Sequence, residues 1–415
     1  MKVLISAYAC EPNKGSEPGV GWNMAREMAK YHDIWIITRA NNRSAIEAEL
    51  SCEHISNLTF VYYDLPRWTM WWKLGERGVQ VYYYLWQIGI YLVAKRLHRK
   101  INFDLLHHVT FVKYWSPSFI SLLPLPFIWG PVGGGESAPK AFCLDFSLRG
   151  KMYEIVRIIA RWLGMHDPFV RLTAKRSSKA LVSTKETALQ VRSLKTQDVE
   201  IFGQTGLSQA DIKRLSNFPI FNIKTIRLIS IGRLLHWKGF HLGLRAFAHA
   251  NLPNAEYWIV GDGPERQHLE TLVKKLNIAK YVQFWGKLSR KNTLEKLAKS
   301  SVLVHPSLHD SGGWVCLEAM ALGKPVICLD LGGPATQVTN REGFKILASN
   351  PDQAVYDIAE AMKRLVSDKE LMFQMGRAGQ MRVRQHFTWD KKVQSLNNFY
   401  LDVVYGKGHA ESIKQ

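Results

Sequence analysis

Short apolar, β-rich runs recur along the whole chain, each followed by a turn and a helical pattern. In the first half they are "KVLISAYA" (residues 2–9), "DIWIIT" (33–38), "LTFVYYDL" (58–65), "DLLHHVT" (104–110), "PFIWG" (126–130) and "KALVST" (179–184). The second half repeats the scheme with "TIRLISIG" (225–232), "EYWIVG" (256–261), "YVQFWG" (281–286), "SVLVHP" (301–306) and "KPVICLD" (324–330). Strands this apolar need cover on both faces, and strands separated by helices pair in parallel. The pattern predicts an α/β chain of two doubly wound, Rossmann-like domains facing each other across a cleft, where a ligand is expected at the strand ends. At 415 residues each half is long enough to bury a core of its own. A polar stretch at 202–219 separates them. The expected division is a first domain 1–205, a linker 206–218, a second domain 219–385, and a helical segment 386–415 packing back toward the first domain.

Charge narrows the partners. Against 35 Asp and Glu stand 55 Lys and Arg, a net +20, which favours nucleotides, phospholipid surfaces or nucleic acid without choosing among them. Nucleic acid lacks a supporting motif. The five cysteines are scattered and free of CxxC spacing, which reads as reduced, mostly packing cysteine in a cytoplasmic protein. The start "MKVLISAYAC" imitates a short signal peptide but fits better as a buried strand feeding a glycine loop. The longest apolar candidate, 81–94, is interrupted by Gln87 and Gly89 and is shorter than the roughly 20 residues of a span.

Five loops at predicted strand ends carry candidate chemistry. In "SIGRLLHWKGF", Arg233 and Lys238 sit beside Gly232 and Gly239 on a strand-to-helix turn, where fixed cations and free N–H groups suit a pyrophosphate; two solvated basic residues are the plain alternative. "VGDGPE" sets Gly261 and Gly263 around a turn after the next strand, a weak signal by itself. "HDSGGWVCLEAMALGKPV" places Asp310 before Ser311, Gly312 and Gly313, whose amides can meet an anion. Glu318 follows on a short apolar helix, where a carboxylate needs a partner. A ribose would offer Glu318 two hydroxyls, and a sugar would offer hydroxyls to Asp310. "YACEPNKGSEPGVGWN" provides a flexible loop whose Gly19 and Gly21 let backbone approach a ligand. In "DLLHHVT", His107 and His108 point to opposite faces of a strand, so one is expected to pack in the core while the other meets the cleft. No Asp-x-Asp occurs and the fourteen histidines show no ligand spacing, so neither metal nor other cofactor is expected.

Taken together, GRL…KG, G-x-G-P, the acid-x7-Glu segment, EAMALGKPVI and the terminal FTW resemble the retaining glycosyltransferases of family 4, with the GT-B fold. The resemblance spans nearly the whole chain and is most specific in the second half. The words "GSEPGVGWN" and "WGPVGGGESAPK" resemble a bacterial subgroup tied to exopolysaccharide and cell-surface glycan assembly. It implies that Arg233 and Lys238 hold a donor diphosphate, that Glu318 binds the nucleotide ribose, and that Asp310 binds the donor sugar's hydroxyls. It also implies that the Gly19 loop closes on the phosphates and that a histidine of residues 104–110 lies near the transferred sugar. Gly232, Gly261, Gly263, Leu288 and Ser311–Gly313 complete the expected donor site. The chain departs from the family at the sugar end: Asp310 stands where Glu is usual, and Gly312 where an aromatic is usual. The family's His-x-His is shifted to adjacent His107 and His108, with His108 favoured for the cleft.

The first half adds two basic, aromatic stretches. Residues 66–100 combine Trp68, Trp71, Trp72, Tyr82, Tyr83, Tyr84 and Trp86 with Lys73, Arg77, Lys95, Arg96, Arg99 and Lys100; residues 151–176 form a second amphipathic stretch. Such composition suits an anionic membrane surface, while helices packed on the sheet are the alternative. The expectation is a cytoplasmic enzyme, peripheral on the inner face of the plasma membrane. It would move a sugar from a nucleotide diphosphate sugar to a hydroxyl of a lipid-linked glycan, with retention and no metal. A sugar-nucleotide epimerase or hydrolase, or a catalytically degenerate nucleotide-binding scaffold, is the alternative.

Overall fold

The computed structural model describes residues 1–66, 68, 78–218 and 225–406. The chain divides into two units that interleave along the sequence. Met1–Gly135, Arg157–Gln204 and the segment from Trp389 onward form one; Glu136–Val156 and Thr205–Thr388 form the other.

The first unit is built on a seven-stranded sheet of β1 (Lys2–Ala7), β2 (Asp33–Thr38), β3 (Leu58–Tyr62), β4 (Leu105–Thr110), β5 (Phe127–Val132), β6 (Lys179–Val182) and β7 (Val199–Ile201). Their order is β3-β2-β1-β4-β5-β6-β7 and every pair is parallel. Strands β4 and β5 are buried at every residue, as a sheet covered on both faces requires. The direction of winding reverses between β1 and β4. The helix Val79–Ile101 turns Tyr82, Tyr83, Trp86, Ile90 and Ala94 into this core.

The second unit holds β8 (Ile226–Ile231), β9 (Ala255–Val260), β10 (Val282–Gly286), β11 (Val302–His305), β12 (Val326–Leu329) and β13 (Gly343–Ile346), in the order β10-β9-β8-β11-β12-β13, again all parallel. Here the reversal lies between β8 and β11, so the loops leaving those two strands frame a crevice. These are two Rossmann-like parallel-sheet domains of the α/β class.

Three expectations about the chain's organisation change. Residues 206–218 are not a bare linker: Gln209–Ser216 is a helix with a capping box between Ser208 and Asp211, and its Leu215 is buried. Residues 136–156, expected in the first domain, belong to the second unit. The glycine loop near the start is mostly helix, because Ser16–Met28 already contains Gly19 and Gly21. A Cβ on Gly21 would stand 2.3 Å from the Ala9 carbonyl oxygen, so this glycine lets the helix press against the turn after β1. Trp389–Tyr405, the C-terminal helix, packs in the first unit, where Tyr400 is buried.

Candidate functional site

The loop leaving β8 carries the two expected cations. Arg233 is exposed beyond Gly232, and the loop is braced by the next strand end: Leu234 N–H donates to the Asp262 carbonyl (3.0 Å) and Glu265 N–H to the Leu234 carbonyl (3.1 Å). Gly261 and Gly263 belong to that brace. A Cβ on Gly261 would fall 1.9 Å from the Gly232 carbonyl oxygen, and one on Gly263 would fall 2.5 Å from that of Leu234. They therefore position Arg233 by close backbone packing. Lys238 precedes Gly239, which has φ +68° and whose Cβ would meet the Pro306 carbonyl oxygen at 1.9 Å. Only glycine fits there, and the contact ties the Lys238 turn to the end of β11.

That tie brings Lys238 onto Asp310. The Lys238 ammonium pairs with Asp310 Oδ2, and buried His305 Nε2 lies 3.3 Å from the same oxygen. Asp310 Oδ1 accepts from the N–H groups of Gly312 (3.1 Å) and Gly313 (3.2 Å). Burial alone would raise the Asp310 carboxyl; Lys238 and His305 overcome it and hold it well below the ordinary carboxylate range. This corrects one expectation. The Gly312 and Gly313 amides are engaged by Asp310's own carboxylate rather than presented open to an external anion. The acid is a cap that fixes the loop before the helix Trp314–Ala321, whose N-terminal Gly313 has φ +63°. Ser311 donates to Glu136 Oε2 at 2.7 Å. Glu136, from the "GGGESAPK" segment, was not picked out by sequence.

Glu318 sits in the second turn of that helix and is 5 % exposed. Its partner is Arg290, with Nη1 2.7 Å from Oε1. Burial raises the Glu318 carboxyl, and Arg290 pulls the other way without cancelling it. Arg290 opens the helix Arg290–Ala298, capped by Ser289, and half-buried Leu288 stands just ahead of it. Sequence reasoning missed Arg290 and His305. Strand ends were the available signal, since His305 closes β11 and Arg290 follows β10.

The first-unit candidates behave differently. His107 is enclosed: its Nε2–H donates to the Gly130 carbonyl and its Nδ1 accepts from Tyr400 O–H, both at 2.6 Å. Burial lowers it to about 4, so it is a neutral packing residue. His108, favoured for the cleft, is also buried; Tyr83 O–H (2.9 Å) and Gln87 (3.3 Å) face its Nε2. Burial, then His107, lowers it to about 3. The reason is register: β4 is buried at all six positions, so neither histidine reaches a surface. Gly19 is buried in its helix and its carbonyl accepts from Asn23 (2.8 Å).

The aromatic stretch 66–100 also reads differently in three dimensions. Tyr82, Tyr83 and Trp86 are core residues, which the plain packing alternative explains; Trp71, Trp72, Lys73 and Arg77 lie outside the described residues. Among the described residues, no helix is long and apolar enough to cross a membrane, and no three His, Cys, Asp or Glu side chains group in a way that would hold a metal ion. All five cysteines are free; Cys10, Cys316 and Cys328 are buried and Cys52 is exposed.

Comparison with known proteins bears on this second-unit cluster. The family described as Glycosyl transferases group 1 matches residues 212–382, which takes in Arg233, Lys238, Arg290, Asp310 and Glu318. The lipopolysaccharide core biosynthesis glycosyltransferase LpsD of Rhizobium meliloti (strain 1021) is 30% identical over 184 residues, 44% of this chain and 50% of that protein. The chain thus spans about half the length of the curated relatives it matches. Over nearly full length the fold is similar to sucrose-phosphate synthase from Thermosynechococcus elongatus, with TM-score 0.63 and 17% identity, covering 97% of this chain and 98% of that one. It is similar too to Anabaena HepE in complex with UDP and glucose, with TM-score 0.60 and 18% identity over 96% and 99% of the two chains. At these identities the likeness is one of fold. The two domains are those of the GT-B class.

Proposed function

We propose that the chain is a glycosyltransferase that moves a sugar from a nucleotide diphosphate sugar to a hydroxyl of a glycan acceptor. The reading extends to retention of anomeric configuration and to an acceptor carried on a lipid, in exopolysaccharide or other cell-surface glycan synthesis. The observation that carries it is the placing of Arg233, Lys238, Asp310 and Glu318–Arg290 on loops and two helices that follow β8, β10 and β11. A lipopolysaccharide core glycosyltransferase among the relatives and a UDP- and glucose-bound structure of like fold support the same assignment.

In this account Arg233 and Lys238 take the diphosphate, and Glu318, paired with Arg290, accepts two hydroxyls of the ribose. Asp310 faces the donor sugar and must share Lys238 with the phosphates. The bond between the anomeric carbon and the phosphate oxygen breaks as the acceptor oxygen bonds to that carbon from the same face, through an oxocarbenium-like state. The acceptor's proton passes to the departing diphosphate. Fixed cations acting on charge that develops only as the bond breaks are the main source of rate.

Product analysis tests the reading. Nucleotide sugars incubated with the protein and a lipopolysaccharide-derived acceptor should give a glycoside of the donor's own anomeric configuration. Free sugar or an epimerised nucleotide sugar as the sole product would overturn it.

A further inference from the structure

Residues 136–156 precede the stretch that the family matches, yet they pack within the second unit. Phe142 and Phe146 anchor this segment in that unit's core, in one cluster with Leu234 and Phe240. From there it touches the loops that leave three strands. Ser147 Oγ–H donates to Glu265 Oε1 at 3.1 Å, after β9, and Glu136 accepts from Ser311, after β11. Glu154 meets two loops at once. Nε2 of His236, after β8, lies 3.1 Å from its Oε1, and Nε2 of His309, after β11, lies 3.2 Å from the same oxygen. Trp237 stacks on both Tyr153 (centroids 4.9 Å apart) and His309 (5.0 Å). A Cβ on Gly150 would stand 2.9 Å from His236 Cγ. Glycine there lets the helix backbone come in close, and Glu154 lies four residues on, over the same helix face.

We infer that Glu154 is a positioning residue for the donor. Through His236 and His309 it sets the Lys238 turn against the Asp310 loop, at the spacing where ammonium and carboxylate meet. Chain adjacency makes the connection short. His236 and Lys238 share a single helical turn, and His309 adjoins Asp310. The Leu308 N–H donates to the Trp237 carbonyl at 2.8 Å, so the same two loops are also tied backbone to backbone. A carboxylate oxygen only accepts, so it holds both rings with the proton on Nε2, and hydrogen bonds to an ionised acceptor are the strong kind. Two loops from separate strands thus share one anchor, supplied by a segment from far earlier in the chain.

The inference rests on the proposed donor site, but the ordering of the loops is read without any ligand. Amide hydrogen exchange is followed in the full chain and in its Glu154→Ala and Glu154→Gln variants. UDP, GDP and inorganic pyrophosphate are then titrated into each by calorimetry. In Glu154→Ala, exchange at 234–239 and 307–313 should rise about tenfold while the strands of the second sheet keep wild-type rates. Affinity for the diphosphate that binds the wild type should fall about tenfold, the cost of a lost hydrogen bond to a charged group. Glu154→Gln keeps an acceptor oxygen in place and should recover most of both. Wild-type exchange in the two loops of Glu154→Ala overturns the inference, as does wild-type diphosphate affinity in that variant. Faster exchange throughout the second sheet, or a glutamine variant as impaired as the alanine one, also overturns it. A wild type that binds none of the three probes would instead overturn the transfer reading, and the exchange comparison would still decide whether Glu154 orders the loops.

Discussion

Glu318 and Arg290 form the pair on which ribose recognition rests in the proposed site. Burial pushes the Glu318 carboxyl up, and the guanidinium 2.7 Å away opposes that. Among the described residues Arg290 supplies the effect that lowers Glu318, so removing it moves the carboxyl further up. Arg290→Ala is therefore expected to lose donor affinity as pH falls, with the loss beginning at higher pH than in the wild type. As pH falls the deficit should grow to about tenfold, the cost of one lost contact to a charged group. Dissociation constants measured across pH check this; parallel profiles for the two proteins would contradict it. Arg290 was not legible in the sequence because it lies 28 residues before its partner, on another helix, and a charged residue opening a surface helix is commonplace. Glu318 was legible, because a lone acid inside "VCLEAMAL" has to be explained.

At the scale of elements, all eleven β-rich runs read from the sequence became strands, while β7 and β13 did not announce themselves. Both are short: Val-Glu-Ile alternates at an edge, and Gly-Phe-Lys-Ile carries a glycine and a lysine, so neither shows the apolar run of a buried strand. The helix Gln209–Ser216 was hidden by its polar composition, although Ser208 and Asp211 supply the S-x-x-D spacing of a capping box. Glycine was the harder reading. A glycine-rich word suggests mobility, yet Gly21 is helical and lies where the helix backbone meets the Ala9 carbonyl. Gly21→Ala should therefore destabilise the protein by about 1–3 kcal/mol through overpacking, seen as a lower denaturation midpoint. An alanine variant as stable as the wild type would return this segment to the role of a loose loop.

For the whole molecule, the sites at 238 and 310 come together because the sheet order of the second unit sets β8 beside β11; the alternation of strands and helices implied a parallel sheet but not that order. The first unit imposes a different demand. His32, His107 and His108 are held below their ordinary value of 6.5, at about 4, 4 and 3, chiefly by burial. A histidine with a depressed folded value contributes stability that is complete above about 6.5 and is lost as pH falls toward 4, because the unfolded chain protonates first. Each displacement is worth about 3–5 kcal/mol at most. Denaturation midpoints should hold between pH 8 and 7 and fall by several degrees at pH 5; a flat profile would contradict the buried, neutral assignment of these rings. The central claim, that the second unit grips a nucleotide diphosphate sugar through its β8 loop, is tested most directly by thermal stabilisation across a panel of nucleotide sugars with the full chain and its Arg233→Ala variant. At least one nucleotide diphosphate sugar should raise the wild-type midpoint and leave the variant's unmoved, whereas an equal rise in both would show that the diphosphate is held elsewhere.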